Sequence, residues 1–296
     1  MKTILVLTDF TIRAEHAARY ALKLAQKIKA DLLLCNIFQV PSNEPMAAQA
    51  SWPLENYDTL EEDSMNDLSE LASRLRKQLS THVAEGQFKP VIGYCTRSGD
   101  IGDTVNEIAS TRHVLMVVVS MHGANGLSSF LLGNHASEII EEAHCPVLVV
   151  PYQVPFTGLR KIAFATDLNQ NGMDVLNCLA GLAKYSDSEI LITHVTDSKQ
   201  TEQVDRPALK YFFQQVSSKI KYPKMYYQAI ENKSVTRGLG WLTQNTDIDL
   251  LVMVHRKRNF FQKMYDGSVT QKMADHLVKP MLVFPSSKIE ETLPVF

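Results

Sequence analysis

The sequence predicts an α/β fold made of two repeated, Rossmann-like doubly wound domains, each a five-stranded parallel sheet with helices on both faces. The 296-residue chain contains a long internal repeat: residues 2–9 (KTILVLTD) return at 161–167 (KIAFATD), and residues 131–151 return at 265–285. A repeat of half the chain indicates two domains of one kind, each of about 150 residues and able to bury a core. Within each copy, apolar β-branched runs alternate with segments of helical period, which is typical of parallel strands joined by helices.

Each copy supplies five strands. Runs that are apolar at every residue, such as LMVVV (115–119), suit parallel strands that are covered on both faces. In the first copy we predict strands at 3–8, 30–38, 89–95, 113–119 and 146–150, and helices at 14–29, 63–82, 101–111 and 135–143. In the second copy we predict strands at 161–166, 189–195, 224–230, 250–254 and 280–284, and helices at 172–186, 205–220, 234–246 and 269–277. The predicted domains span 1–152 and 158–289.

The two copies differ by one insertion. Corresponding segments lie 158 residues apart near the start of each copy and 134 near its end, so the first copy carries 24 extra residues, at 40–63. This segment is rich in proline, alanine and acidic residues and is predicted to be a long loop. A lid over its own domain and a tolerated surface insertion are both compatible with it. The join at 151–160 is too short to separate the domains, so we expect the copies to pack together.

The composition excludes several classes of protein. A net charge of -2, with 45% hydrophobic and 21% charged residues, provides no overall attraction to nucleic acid or to an anionic membrane. No apolar run reaches the roughly 18 residues of a membrane helix, and the short apolar N-terminus is predicted to be a strand and not a signal peptide. Four cysteines, with no CxxC spacing, are predicted to be buried thiols in a reducing compartment. We therefore expect a cytoplasmic protein with neither a nucleic-acid nor a membrane partner.

Ligands of open α/β sheets bind beyond the carboxyl ends of the strands, where the strand order reverses. The first strands of the two copies end in Thr8-Asp9 and Thr166-Asp167. An acidic residue there can accept hydrogen bonds from the base or sugar of a nucleotide, and it can equally cap the next helix or turn. The residues alone leave both roles open.

The fourth strand of the first copy runs into the loop and helix start of residues 120–137 (SMHGANGLSSFLLGNHAS). Together with the strand and helix order, the aspartate after the first strand and the ending LLGNHASEIIEEAHCPVLVVP (131–151), this loop resembles the universal stress protein family. The resemblance covers both halves. It implies the strand order 3-2-1-4-5 in each sheet and an ATP site built on G-x2-G-x9-G-[ST]. Glycines allow the backbone to approach phosphates, and the following helix N-terminus favours anions.

Neither copy keeps that motif in full. The first copy has Ser120-x2-Gly123-x9-Gly133-Asn134, in which Ser120 replaces a glycine and Asn134 replaces the hydroxyl residue. The second copy has Val254-x2-Lys257-x9-Gly267-Ser268 and has lost two glycines. The resemblance therefore implies ATP, with Mg²⁺ accompanying it, in the first domain and a degenerate site in the second. The predicted first-domain site comprises Thr8, Asp9, Asn36, Ser120, Gly123, Gly133, Asn134 and His135. The predicted degenerate site comprises Asp167, His194, Lys257, Gly267 and Ser268.

The sequence carries no recognised catalytic motif: G-x-S-x-G, H-E-x-x-H and the P-loop are absent, and the nine histidines show no metal-ligand spacing. We expect a protein that is not an enzyme and at most hydrolyses ATP slowly and incidentally. Two functions stay open. One is a stress-response protein regulated by an adenine nucleotide in the first domain. The other is a scaffold, or a binder of another small ligand or protein, with both nucleotide sites degenerate.

The same resemblance implies a mode of association. Family members with one domain commonly dimerise through the last strand, and residues 146–150 and 280–284 are apolar enough for that role. We predict that these strands pair antiparallel within one chain, as an intramolecular pseudo-dimer, and leave a further homodimer open. In the basic second-domain loop, Phe260 and Phe261 could dock an unknown protein partner through an acidic surface.

Overall fold

The computed structural model describes residues 2–38, 57–82, 86–121, 134–168, 171–196, 201–255, 279–285 and 293–296. Strands and helices alternate along the chain, as the apolar periodicity predicts. In the first half they are β1 (Thr3–Leu7), α1 (Ile12–Ile28), β2 (Asp31–Phe38), α2 (Tyr57–His82), β3 (Ile92–Ser98), α3 (Ile101–Thr111), β4 (Val114–Ser120), α4 (Asn134–Glu142) and β5 (Val147–Val150). In the second half they are β6 (Lys161–Ala165), α5 (Asn171–Lys184), β7 (Glu189–Thr196), α6 (Thr201–Lys219), β8 (Met225–Glu231), α7 (Val235–Asn245), β9 (Leu250–His255) and β10 (Met281–Pro285).

The ten strands that the structure describes belong to one sheet, in the order β3-β2-β1-β4-β5-β10-β9-β6-β7-β8. Each half has the predicted order 3-2-1-4-5, with every neighbouring pair parallel. The two halves meet where β5 and β10 pair antiparallel, with Leu148 opposite Leu282. The predicted fold class and the predicted antiparallel junction are therefore confirmed.

The alternation of strand side chains produces one apolar core on each face of the sheet. In β1, Ile4 and Val6 point to the face that α1, α2, α5 and α6 cover, whereas Leu5 points to the face that α3, α4 and α7 cover. Strands buried on both faces require near-continuous apolar sequence, which explains runs such as residues 115–119.

The halves share the first of these cores. Tyr20 and Leu24 of α1 approach Leu182, Leu250 and Leu282 of the second half around one narrow gap. The join between the domains packs on α1 as well: the Tyr20 and Phe156 rings meet edge to face at 5.1 Å. The expectation that the copies pack together is confirmed.

Three elements differ from the predictions by three residues or more, and one of them, α6, begins at Thr201 and not at 205. Helix α2 begins at Tyr57, so residues 57–63 of the insertion are helical and not loop. The acidic residues that indicated a loop instead belong to the first turns of this helix, where Asp58 complements the helix dipole. Strand β3 lies at Ile92–Ser98 and not at 89–95. Its polar end is tolerated because β3 is an edge strand. The rest of the insertion, 40–56, and the predicted helix at 269–277 lie outside the described residues.

Candidate functional site

A tight turn follows β1 in the first half. Phe10 adopts a left-handed backbone conformation (φ 61°), and its N–H donates to the hydroxyl of the buried Thr8 at 3.1 Å. The exposed Asp9 carboxylate accepts hydrogen bonds from the Thr11 N–H at 3.1 Å and the Thr11 hydroxyl at 2.6 Å. Thr11 in turn caps α1 by accepting from the Ala14 N–H at 3.2 Å. Asp9 thus supports the turn through one carboxylate oxygen and lies exposed just after the end of β1.

A polar network joins the ends of β1, β2 and β3. The Asn36 side-chain amide donates to the Thr8 carbonyl at 2.7 Å and accepts from the Ser64 hydroxyl at 3.0 Å. The same Ser64 hydroxyl lies 3.0 Å from the hydroxyl of Thr96, and both residues are buried. Such a satisfied network holds the strand ends in register, because each partner left alone would be an unpaired buried polar group. The structure therefore joins Thr8 and Asn36 directly, with Asp9 next to Thr8 in the chain.

The second half repeats this arrangement with different side chains. Leu168 takes the left-handed conformation (φ 67°), and its N–H donates to the Thr166 hydroxyl at 3.0 Å. Nδ1 of His194 lies 2.9 Å from the Thr166 carbonyl, which is the contact that Asn36 makes to Thr8. Asp167 is exposed at the same place as Asp9. Asn36 and His194 therefore hold the same backbone carbonyl in their own domains.

The strand order of the first half reverses between β1 and β4. Ser120 ends β4, and because Val118 pairs with Val6, Ser120 and Thr8 hold corresponding places on neighbouring strands. Helix α1, which follows β1, packs on one face of the sheet, and α4, which is the next helix after β4, packs on the other. This divergence is the switch point at which open α/β sheets bind ligands. The equivalent place beside β6 is occupied by Val254, since Ala163 pairs with Leu251 as Leu5 pairs with Val117.

Helix α4 begins at Asn134 and ends shortly before β5, so its N-terminus points towards the carboxyl end of the parallel strands. The side chains of Asn134 and His135 lie outside the described part of the chain, as do Gly123 and Gly133 of the first-domain loop. The second-domain residues Lys257, Gly267 and Ser268, together with Phe260 and Phe261, also lie outside it. The roles predicted for these residues stay predictions.

Two groupings were not found from the sequence. A cavity of about 620 Å³ lies at the opposite end of the first sheet and combines Lys2, His113 and His144 with the C-terminal residues Pro294 and Val295. Sequence reasoning missed it because residues far apart in the chain form it. The second grouping joins Cys35 and Cys95, which stand directly opposite each other in β2 and β3.

Three carboxylates, Asp100, Glu138 and Glu142, offer oxygen atoms within 4.8 Å of one another on the surface beside α3 and α4. Burial and then repulsion from Asp100 and Glu138 raise the pKa of Glu142. Among the described residues, this is the group of acidic, histidine or cysteine side chains whose spacing could suit a cation.

Within the described part of the chain, no helix is both long enough and apolar enough to cross a bilayer.

Comparison with known proteins gives a consistent result. The model of the universal stress protein family matches residues 1–151 and 158–285, which is nearly the whole chain in two copies. A universal stress protein of Methanocaldococcus jannaschii is 26% identical over 151 residues, covering 50% of this chain and 81% of its own length. The crystal structure of a universal stress protein from Archaeoglobus fulgidus superposes with a TM-score of 0.70 at 14% identity, over 96% of this chain and 98% of that one. A putative universal stress protein from Pseudomonas aeruginosa has a TM-score of 0.57 at 18% identity, over 97% of this chain and 94% of that one. At these identities the two structures show the fold alone.

Proposed function

The chain belongs to the universal stress protein family, and from that premise we propose that its first domain binds an adenine nucleotide and that the bound nucleotide regulates a protein without enzymatic activity. One observation carries the proposal. At the switch point between β1 and β4, the exposed Asp9 follows β1, Ser120 ends β4, and α4 is the next helix along the chain. A hydrogen-bond acceptor for a base or ribose, together with a helix N-terminus that favours phosphate, supports the proposal.

The residues divide into contacts and supports. Asp9 would accept from the ribose or base, and the backbone around Gly123 and Gly133 and the start of α4 at Asn134 would hold the phosphates. The Asn36 side-chain amide is bonded to Thr8 and Ser64, so its proposed role is to hold the ends of β1 and β2 in place. Mg²⁺ would enter with ATP, whose phosphate charge it neutralises.

The second domain lacks two of the three motif glycines that the phosphates would need, and keeps Gly267 and Ser268. Val254 stands in the register position of Ser120 and adds a bulky apolar side chain where a backbone approach is required. The sequence that follows has Lys257 in place of Gly123. We therefore assign nucleotide binding to the first domain, with the second as its permanent partner. The four cysteines are free thiols, which supports a reducing compartment such as the cytoplasm.

The test uses the internal repeat as its control. Wild-type protein should bind ATP with a saturable signal in titration calorimetry. Asp9→Ala should weaken the affinity about tenfold or more, because a hydrogen bond to a charged group contributes about 1.5–3 kcal/mol. Asp167→Ala, at the matched place in the second domain, should leave the affinity unchanged.

A further variant separates the ligand role of Asp9 from its turn role. Asp9→Asn keeps an oxygen for the Thr11 N–H and hydroxyl but removes the charge. If Asp9 binds nucleotide, Asp9→Asn weakens ATP binding and leaves the melting temperature close to that of wild type. If Asp9 only supports the turn, Asp9→Ala lowers the melting temperature equally with and without ATP, and Asp9→Asn changes neither quantity.

The alternative function is a scaffold, or a binder of another ligand, with both nucleotide sites degenerate. The observation that favours it is that polar side chains at the strand ends of both domains make contacts within the protein: Asp9 with Thr11, Asn36 with Thr8 and His194 with Thr166. Absence of ATP binding by the wild-type protein would favour the scaffold. Mass spectrometry of what co-purifies with the full chain would then identify the ligand or partner.

A further inference from the structure

Cys35 and Cys95 are 60 positions apart in the sequence and adjacent in the sheet. The parallel strands β2 and β3 pair Cys35 directly with Cys95. Neighbouring strands lie about 4.8 Å apart, which falls inside the range of about 4.4–6.8 Å between the Cα atoms of disulfide-bonded cysteines. Both side chains belong to the same core face, with Cys35 inside the apolar cluster and Cys95 packed against it. The backbone register therefore gives the two cysteines a Cα spacing that suits a disulfide.

The two thiols have different surroundings. Cys35 is completely buried, whereas Cys95 is only partly buried, because it lies on the edge strand. The neighbouring Cys35 thiol, helped by the positive charges of Arg97 and Arg112, holds the pKa of Cys95 well below that of an ordinary thiol. The presence of Cys95, together with burial, raises the pKa of Cys35, whose Sγ donates to the Asn36 carbonyl at 3.8 Å. Cys95, the less buried of the two cysteines, is thus the one that favours the reactive thiolate form.

We propose that Cys35 and Cys95 form a redox-active dithiol, a modification site at which Cys95 reacts first with a hydroperoxide and Cys35 then closes a disulfide between β2 and β3.

The chemistry balances without any other reagent. The Cys95 thiolate attacks the distal oxygen of the hydroperoxide, the O–O bond breaks, and the leaving alkoxide or hydroxide takes a proton, which leaves a sulfenic acid on Cys95. The Cys35 sulfur then attacks the Cys95 sulfur, the S–O bond breaks, and the departing hydroxide takes the Cys35 proton as water. In total the two sulfurs lose two electrons, which reduce the peroxide bond. Two equivalents of an added thiol, which leave as their own disulfide, restore the starting state by exchange.

The other cysteines do not share this arrangement. Burial raises the pKa of Cys145 and of Cys178 to about 12 in each case. Cys178 also donates to the Pro294 carbonyl at 3.1 Å. The register that pairs Cys35 with Cys95 pairs Thr193 with Gln228 in the second half, so the dithiol belongs to the first half alone.

The experiment uses the full-length chain and dilute hydrogen peroxide. After brief oxidation, free thiols are alkylated at low pH, and the digested protein is mapped by mass spectrometry. We expect a peptide pair crosslinked through Cys35 and Cys95 that dithiothreitol separates. Its formation should be at least about tenfold faster than any modification of Cys178, because only Cys95 favours the thiolate. Equal oxidation of Cys145 or Cys178, or oxidation of Cys95 without a link to Cys35, would overturn the proposal.

Variants assign the order of the steps. Cys95→Ser should abolish the crosslink and leave Cys35 reduced. Cys35→Ala should leave a sulfenic acid on Cys95 that dimedone traps, formed more slowly than in wild type because Cys35 no longer lowers the pKa of Cys95. Cys178→Ala should oxidise as the wild type does. Circular dichroism checks that each variant folds, and the wild-type peptide map decides the question by itself should Cys35→Ala fail to fold. Trapping of dimedone on Cys35 in the Cys95→Ser variant, at the wild-type rate, would reverse the proposed roles and refute the assignment.

Discussion

Truncating Leu282 to alanine should destabilise both halves of the protein together. Leu282 is 1% exposed, lies opposite Leu148 at the antiparallel junction, and faces the core that α1 and α5 share. The truncation removes three buried carbon atoms, which lose about 2.4 kcal/mol at roughly 0.8 kcal/mol each. The cavity left behind adds to this loss, so the free energy of unfolding should fall by about 3–4 kcal/mol.

Amide hydrogen exchange can measure this change in each half separately. If the halves unfold as one unit, the free energy of exchange should fall equally in the central strands β1 and β6, which lie on opposite sides of the junction. Ile12→Ala is the control, since Ile12 is 71% exposed and its truncation should change stability by less than about 0.5 kcal/mol. Faster exchange confined to β6, with β1 unchanged, would show that the halves unfold independently and would refute the shared-core argument.

Two further predictions concern packing and pH. Gly238→Ala should lower the melting temperature, because the new Cβ would lie 2.8 Å from Cγ1 of Val195. In the same helix, a Cβ added at Gly240 would meet open space, so Gly240→Ala should raise the melting temperature through a helix-propensity gain of up to about 1 kcal/mol. An increase in both variants would contradict the packing of α7 on β7. The Cys145 thiol has a folded-state pKa raised from 9.0 to about 12, so its contribution to stability is complete below pH 9.0 and is lost as pH rises towards 12. Urea denaturation between these pH values should show a shallower alkaline decline for Cys145→Ala than for wild type, and equal slopes would count against the buried neutral thiol.

The fold could be predicted from the sequence because its signals are local and repeated. Apolar runs of residues buried on both faces specified β1, β4, β6 and β9, and the internal repeat specified two sheets of one kind. Strand β3 was harder to place, because an edge strand accepts polar residues and its burial pattern carries little signal. The start of α2 was misjudged for a similar reason, since acidic residues favour both loops and the first turn of a helix.

The site depends on information that single residues do not carry. Strand order alone places Asp9 and Asn36 near each other. Their hydrogen-bond donors, Thr11 for Asp9 and Ser64 for Asn36, depend on side-chain geometry. The thiol pair requires an exact register between β2 and β3, and the predicted limits of β3 were three residues too early. A strand's register fixes which residues face each other, so an uncertain boundary concealed the contact between Cys35 and Cys95.

Joining β5 to β10 within one chain changes how the association behaves and how it can evolve. Two separate subunits would pair according to their concentration and would fall apart on dilution, whereas the tethered partner stays at a constant high effective concentration. A homodimer also carries every substitution twice, once on each side of its axis. Here a substitution appears once, so Cys35 and Cys95 can exist in one half while Thr193 and Gln228 hold their places in the other. Covalent fusion thus frees each half to specialise while it keeps the other as its structural support.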